Sequence, residues 1–349
     1  MTDWLSQFNY SPIKPLFDSE NDAIIYFAKR DLLEDKIQSI EYIWDLPEVQ
    51  KIIKKQLDDG SWPSKAKKGI NSGVKYPLIE TWKQLRFLIQ QYEMDNNHPA
   101  IQKASEFIFS CQTDEGDIRG ILANQYAPYY TGAIMYLLIK AGYEDDPRIE
   151  KGFEWLLKMR QDDGGWVIGS PGMIGLSNLA RSEKNDLTSN KDRKTALAFD
   201  KSKPYSAAGT GMVLRAFAVH PTYKRSGEAL TAARLLKSKF FKKDNCTSYQ
   251  HPDNWLRFQY PFWWTNLVSS LDTLSLMGFS KDDVDVKNGL NWLIEHQERD
   301  GLWKISYSNI HKAPDNNRTF KSRLWITLAI CRIFRRFYLI DSPIIEVRK

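Results

Sequence analysis

Cysteine and histidine are scarce in this chain, with 3 and 5 residues among 349. Cys111, Cys246 and Cys331 are odd in number and lack paired spacing, which excludes a disulfide framework and points to reduced thiols in a cytoplasmic setting. The histidines form no i, i+4 pair, and His98, His220 and His251 each precede proline, a turn signature. No run of about eighteen apolar residues occurs, so no membrane-spanning helix is expected. Met1-Thr2-Asp3-Trp4 lacks the basic-then-apolar order of a signal peptide, and a cytoplasmic location is expected. Charge of one sign is nearly balanced by the other: 49 basic against 43 acidic residues, a net +6. The basic residues bunch at 65–68, 237–243 and 321–336. Solvated surface accounts for them, with attraction to diphosphates or an anionic membrane surface as the alternative. Nothing resembles a DNA- or RNA-binding motif, so no nucleic-acid partner is expected.

Aromatics, by contrast, are plentiful: 12 Trp, 16 Tyr and 17 Phe. Several belong to a repeated template of a glutamine slot, an acidic turn, a glycine and then a tryptophan or its substitute. Its four copies are Gln56 to Trp62, Gln112 to Ile118, Arg160 to Trp166 and Gln297 to Trp303. Repeats of this kind report a repeated structural unit. Before three of the turns, apolar residues recur at i, i+4, i+7 and i+8, as in Ile149, Phe153, Leu156 and Leu157, the face of an amphipathic helix. Gly60, Gly116, Gly164 and Gly301 then stop the helices, as residues that take positive φ. A degenerate copy covers residues 229–243.

After each turn the pattern predicts a second, more apolar helix, over residues 78–92, 129–141, 207–219, 262–277 and 323–337. Each of these stretches has a threonine near its start (Thr81, Thr131, Thr210, Thr265, Thr327), and a further helix near 21–33 joins the set. Helices with one wet face belong outside and helices apolar nearly all round belong inside. The predicted fold class is therefore all-α, an (α/α) toroid of five to six hairpins, with an open solenoid as the alternative. One domain over 1–349 is expected. Residues 167–204, part of a polar stretch of about forty residues, are expected to form an inserted loop or a lid.

The Gln-x-x-x-Gly-x-Trp turns resemble the QW motifs of squalene–hopene and oxidosqualene cyclases, with related repeats in protein prenyltransferase β subunits. The resemblance covers roughly residues 46 to 337. It implies an apolar central cavity for isoprenoids, and a structural role for Gln56, Trp62, Trp166, Gln297 and Trp303. It also implies an isoprenoid-acting enzyme, terpene cyclase-like or prenyltransferase-like. The alternative is a non-catalytic protein that holds an apolar ligand or a partner segment in the same cavity, because fold does not imply function.

The resemblance directs a search for acids. The Asp-x-Asp-Asp motif of class II cyclases is absent. Asp282-Asp283-Val284-Asp285 has the wrong order and reads as a helix N-terminal capping cluster. Asp272, among apolar residues of an inner helix, is the better candidate for a buried acid, and Glu80 has similar standing. A structural hydrogen bond to a neighbouring helix is the other account of Asp272. Trp82, Tyr130, Trp263 and Trp264 are candidate substrate contacts, since aromatic faces stabilise cations, although core packing explains them equally. Arg257 and Tyr260, with Lys242 and Lys243, precede an inner helix whose N-terminus favours anions. Asp244, Cys246 and His311 resemble the zinc set of prenyltransferases only loosely, so no metal or other cofactor is expected. The expected partner is an apolar, isoprenoid-like small molecule, with peripheral membrane contact left open.

Overall fold

The computed structural model describes residues 4–64, 73–168, 200–244 and 251–339. Cys246, the basic run at 65–68 and most of the expected lid therefore lie outside the described residues. The expected all-α class holds: the described chain is helical, with only isolated two-residue β contacts. Its helices are α1 (Ile13–Phe17), α2 (Asp22–Ala28), α3 (Glu41–Trp44), α4 (Pro47–Ile53), α5 (Tyr76–Leu85), α6 (Pro99–Phe109) and α7 (Pro128–Leu138). They continue with α8 (Pro147–Lys158), α9 (Ala207–Val219), α10 (Gly227–Ser238), α11 (Leu267–Leu276), α12 (Val284–Glu295) and α13 (Asn317–Leu339).

Contacts gather these into two compact units. One comprises Met1–Ile43, Ala233–Asp244 and Tyr249–Lys349, the other Trp44–Ala232 and Asn245–Ser248. α3 and α10 lie where the chain passes from one to the other. The larger part of the repeat, α4 to α9, is in the second unit.

The inner helices are buried nearly all round in α7 and α9, whereas α8 presents one apolar face, with Ile149, Phe153 and Leu156 inside. The period of apolar residues fixed that difference in advance. Three inner helices, α2, α5 and α7, end in wider π-helical turns, at Lys29–Leu33, Arg86–Gln91 and Ile139–Tyr143. Two predicted starts fail. The helix expected from Arg323 begins earlier, at Asn317. The helix expected from Phe262 starts at Leu267, because Asn266 caps it: its side chain accepts from the Ser269 N–H (3.0 Å), and the Ser269 hydroxyl accepts from the Asn266 N–H (2.9 Å). This reciprocal cap leaves 262–265 outside the helix.

The four turns share one hydrogen-bond scheme. Gln56 Nε2 donates to the carbonyls of Gly60 (2.9 Å) and Ala100 (2.8 Å), the latter at the start of α6. Gln112 does the same to Gly116 and Arg148, and Gln297 to Gly301 and Tyr10. The glutamine thus closes its own turn and ties it to the next outer segment. In the third copy Arg160 donates to the Gly164 carbonyl, while Gln161 reaches the carbonyls of Asp200 and Lys203. Where the template reads Trp, the backbone N–H donates to an inner-helix threonine: Trp62 to Thr81, Trp166 to Thr210 and Trp303 to Thr327. Ile118 donates likewise to Thr131. The indoles of Trp62, Trp166 and Trp303 each donate to the carbonyl ten residues back, those of Ile52, Leu156 and Leu293.

Gly60, Gly116 and Gly301 take positive φ. A Cβ at Gly60 would collide with the Lys103 carbonyl on α6, and one at Gly301 would come within 2.5 Å of the Ser11 carbonyl. Glycine is needed there both for the backbone angle and for the close approach. The Gln297 turn therefore docks on the N-terminal segment before α1. Within the first unit, the last hairpin is followed in space by the first.

Candidate functional site

In the second unit, an aromatic and cationic cluster runs across three inner helices. On α5, Trp82 is followed one turn later by Arg86, where the π-helical turn begins. The i, i+4 spacing puts both on one face. The Trp82 ring meets Tyr130 of α7 edge to face, with centroids 5.4 Å apart, and Tyr130 in turn lies 4.5 Å from Tyr129. The Arg86 guanidinium lies 5.6 Å from the Trp82 ring centre, and that of Arg215, on α9, lies 5.8 Å from the ring of Tyr136 on α7. α7 and α9 are closely packed: a Cβ on Gly132 would come within 2.6 Å of the Val213 Cα.

Arg86 and Arg215 are only 3 % and 2 % exposed. Burial, and then the positive charge of Arg215, pull the Arg86 pKa down to about 9. Both influences act against its charge. Arg119 of the same unit is the contrast. It too is buried, but Asp117 (2.8 Å) and Glu115 (3.0 Å) pair with it. Burial opposes its charge, yet these carboxylates outweigh it and push the Arg119 pKa up.

Glu80 does not share this cluster. It precedes Trp82 by two residues, which on a helix is the opposite face, and it pairs with Lys83 (3.3 Å) and Gln84 (2.7 Å).

The remaining candidates lie in the first unit. Tyr260 stacks on Trp325 of α13, with centroids 5.8 Å apart, and meets Phe262 at 5.1 Å. Trp263 and Trp264 are parallel at 6.1 Å and half-buried. Arg257 is exposed, with its guanidinium 3.5 Å from Asn254 Oδ1. Lys242 caps its own helix end by donating to the Ser238 carbonyl. Asp272 of α11 forms an ion pair with Arg336 of α13, whose Nε also donates to Ser275 (2.8 Å). This pair between two packed helices accounts for a carboxylate on so apolar a segment. The Asp283 carboxylate accepts from the N–H groups of Asp285 and Val286, so the acidic run before α12 is a cap, as its position predicts.

Among the described residues, no three His, Cys, Asp or Glu side chains are grouped to hold a metal. The Asp244, Cys246 and His311 set includes Cys246, which lies outside the described residues. His98, His220 and His251 each turn Nδ1 toward a following backbone N–H, at 3.1 to 3.2 Å, which gives the three His-Pro turns a structural purpose.

Arg86 and Arg215 escaped the sequence reading, though a signal existed. Arg215 is the one charged residue of α9. A charge inside an all-round apolar helix must be buried, and then needs a reason to be there.

No protein-family profile matches the chain, and neither does any curated protein. Solved structures do. The type II terpene cyclase MstE from Scytonema aligns at 13% identity and a TM-score of 0.41, over 93% of this chain and 97% of its own. A glycosyl hydrolase of family 88 from Bacteroides vulgatus aligns at 13% and 0.46, over 96% and 94%. A polysaccharide lyase aligns at 13% and 0.43, over 86% and 87%. Cyclase, hydrolase and lyase stand side by side in these comparisons, so the chemistry of this chain has to be read from its own side chains.

Proposed function

We propose that this protein takes an isoprenoid-like molecule among its inner helices and acts on it, in the manner of a terpene cyclase or a prenyltransferase. The observation that carries the proposal is the aromatic run Tyr129–Tyr130–Trp82, in which Tyr130 lies 4.5 Å from Tyr129 and 5.4 Å from Trp82, centre to centre, on largely apolar helices. Tyr130 is only half-buried, as are Trp263 and Trp264. Aromatic faces left partly uncovered suit both the methyl-rich surface of an isoprenoid and positive charge developing on it.

A second proposal, a binding protein without turnover, draws on a different observation. Both candidate acids have partners: Asp272 has Arg336, and Glu80 has Lys83 and Gln84. Incubation with labelled farnesyl diphosphate, geranylgeranyl diphosphate and squalene separates the two. The enzymatic proposal expects a new product from at least one. Saturable binding with all three recovered unchanged supports the binding protein. Absence of any binding refutes both. Replacing Trp82 by Leu, or Tyr130 by Leu, is expected to weaken binding about tenfold, or about 1.4 kcal/mol. Circular dichroism of each variant confirms that it is folded.

A further inference from the structure

The basic run at 321–336 is mostly taken up by ion pairs within the fold. Arg323, Arg332, Arg335 and Arg336 of α13 pair with Asp300, Asp31, Glu34 and Asp272. Lys312, Arg318 and Lys321, just before and at the start of α13, are exposed and pair with no carboxylate among the described residues. Two large apolar side chains stand among them: Ile310 is 58 % exposed and Phe320 44 %. One exposed apolar side chain needs no explanation. Two on a short segment, interleaved with unpaired cations, form a pattern. The loop that presents Ile310 is held by hydrogen bonds. The Asp253 carboxylate accepts from the Ser308 hydroxyl (3.0 Å) and the Asn309 N–H (2.9 Å), and the Ser308 hydroxyl oxygen accepts from the N–H groups of Ile310 and His311. The base of the loop is tied to the segment around Arg257, where the Phe258 N–H donates to the Ile305 carbonyl (2.7 Å) and the Tyr307 N–H to the Leu256 carbonyl (3.0 Å). From Lys304 to Arg323 the only acid is Asp315. The start of a long helix favours acids, yet the first turn of α13 holds Arg318 and no acid.

We propose that this face docks on an anionic lipid surface. Ile310 and Phe320 enter the boundary between headgroups and acyl chains, while Lys312, Arg318 and Lys321, with exposed Arg257 across from Ser306 at the base of the loop, meet the headgroups. A bilayer interface offers hydrocarbon and negative charge side by side, which is what apolar side chains flanked by lysine and arginine require. Two apolar side chains set apart by cations do not make the continuous apolar centre of a stable protein interface. Val284 is the internal contrast. It is 72 % exposed, more than either, but its neighbours Asp282, Asp283 and Asp285 carry the opposite charge. The docking face belongs to the first unit, and it stands whether or not the aromatic run of the second holds an isoprenoid.

The full-length protein is mixed with phosphatidylcholine vesicles, with and without phosphatidylserine, and the bound fraction is measured by co-sedimentation. Binding is expected to need phosphatidylserine and to weaken as salt is raised. Lys312→Gln, Arg318→Gln and Lys321→Gln should each lower vesicle affinity about fivefold, and Ile310→Ser and Phe320→Ser about as much. Val284→Ser should leave it unchanged. Circular dichroism confirms that each variant is folded. Hydrogen exchange of the wild type needs no variant: vesicles containing phosphatidylserine should slow exchange within residues 306–321. No binding to either vesicle, equal binding to both, protection confined to other segments, or an equal loss in Val284→Ser overturns the proposal. Binding that falls in the cation variants but not in Ile310→Ser or Phe320→Ser, and that a DNA duplex competes away, marks a general polyanion patch and overturns lipid insertion. Self-association without vesicles that is lost in Phe320→Ser assigns the face to a second copy of this chain and overturns the lipid assignment.

Discussion

A single carboxylate shows how little its residue type says about its role. Asp272 and Asp31 both lie on or beside inner helices, and both meet arginines of α13: Arg336 and Arg332. For Asp272→Asn we expect a loss of about 1–3 kcal/mol, the range for leaving a partly buried charge without its counterpart. A structural Asp272 loses stability in urea melts and keeps ligand turnover. A catalytic Asp272 loses turnover in protein that remains folded. Asp31 carries a pH prediction. Burial pushes its carboxyl pKa up, but Arg332 and Arg30 outweigh that and hold it below the usual 3.8. A depressed pKa means that the unfolded chain binds the proton more readily, so this contribution is present above about pH 4 and is lost as pH falls through the folded value. The urea midpoint should therefore fall from pH 6 to pH 3, and Arg332→Met should flatten that part of the slope.

At the scale of the helix and its turn, the recurring threonines are the test. Thr81, Thr131, Thr210 and Thr327 are fully buried, and each accepts a backbone N–H from the residue in the tryptophan position. Thr210→Val keeps the shape and removes the acceptor, leaving the Trp166 N–H buried and unsatisfied. The expected loss is about 1–3 kcal/mol, against a smaller change for Thr210→Ser, measured by chemical denaturation. These elements were largely legible in advance. The span 207–219 was predicted to the residue, and α8 and α12 followed from their apolar spacing, because a helix face is a local, periodic property. The purpose of the threonines is not legible in the sequence, because their partner lies up to 44 residues away. The false start at Phe262 came from reading apolarity alone, when Asn266 with Ser269 made a cap.

At the scale of the molecule, the docking of the last turn on the N-terminal segment carries its own prediction. Gln297 exchanges hydrogen bonds with Tyr10, at 2.7 and 3.0 Å, and Phe8 packs against Trp303 (5.3 Å) and Phe334 (4.6 Å). A chain beginning at Pro12 should lose about 3–5 kcal/mol, mostly through the missing Phe8 side chain. Gln297→Ala should cost clearly less in that background than in the full-length chain, because the truncation has already removed its Tyr10 partner. Additive losses would refute the coupling. The same scale decided the candidate site. Trp82 and Tyr130 were singled out from the sequence and meet in the structure, whereas Glu80 was singled out and faces away from them.

What the sequence determined by itself was the alternation of helices and the place of each turn, because both rest on spacing within some seven residues. Only the tertiary structure decided which charges would meet. Arg119 and Arg86 are the same residue type in the same unit, yet carboxylates pair with Arg119 and push its pKa up, while burial and then the charge of Arg215 pull that of Arg86 down. Electrostatic energy inside a protein depends on distance and on excluded water, and both are set by which helices pack together.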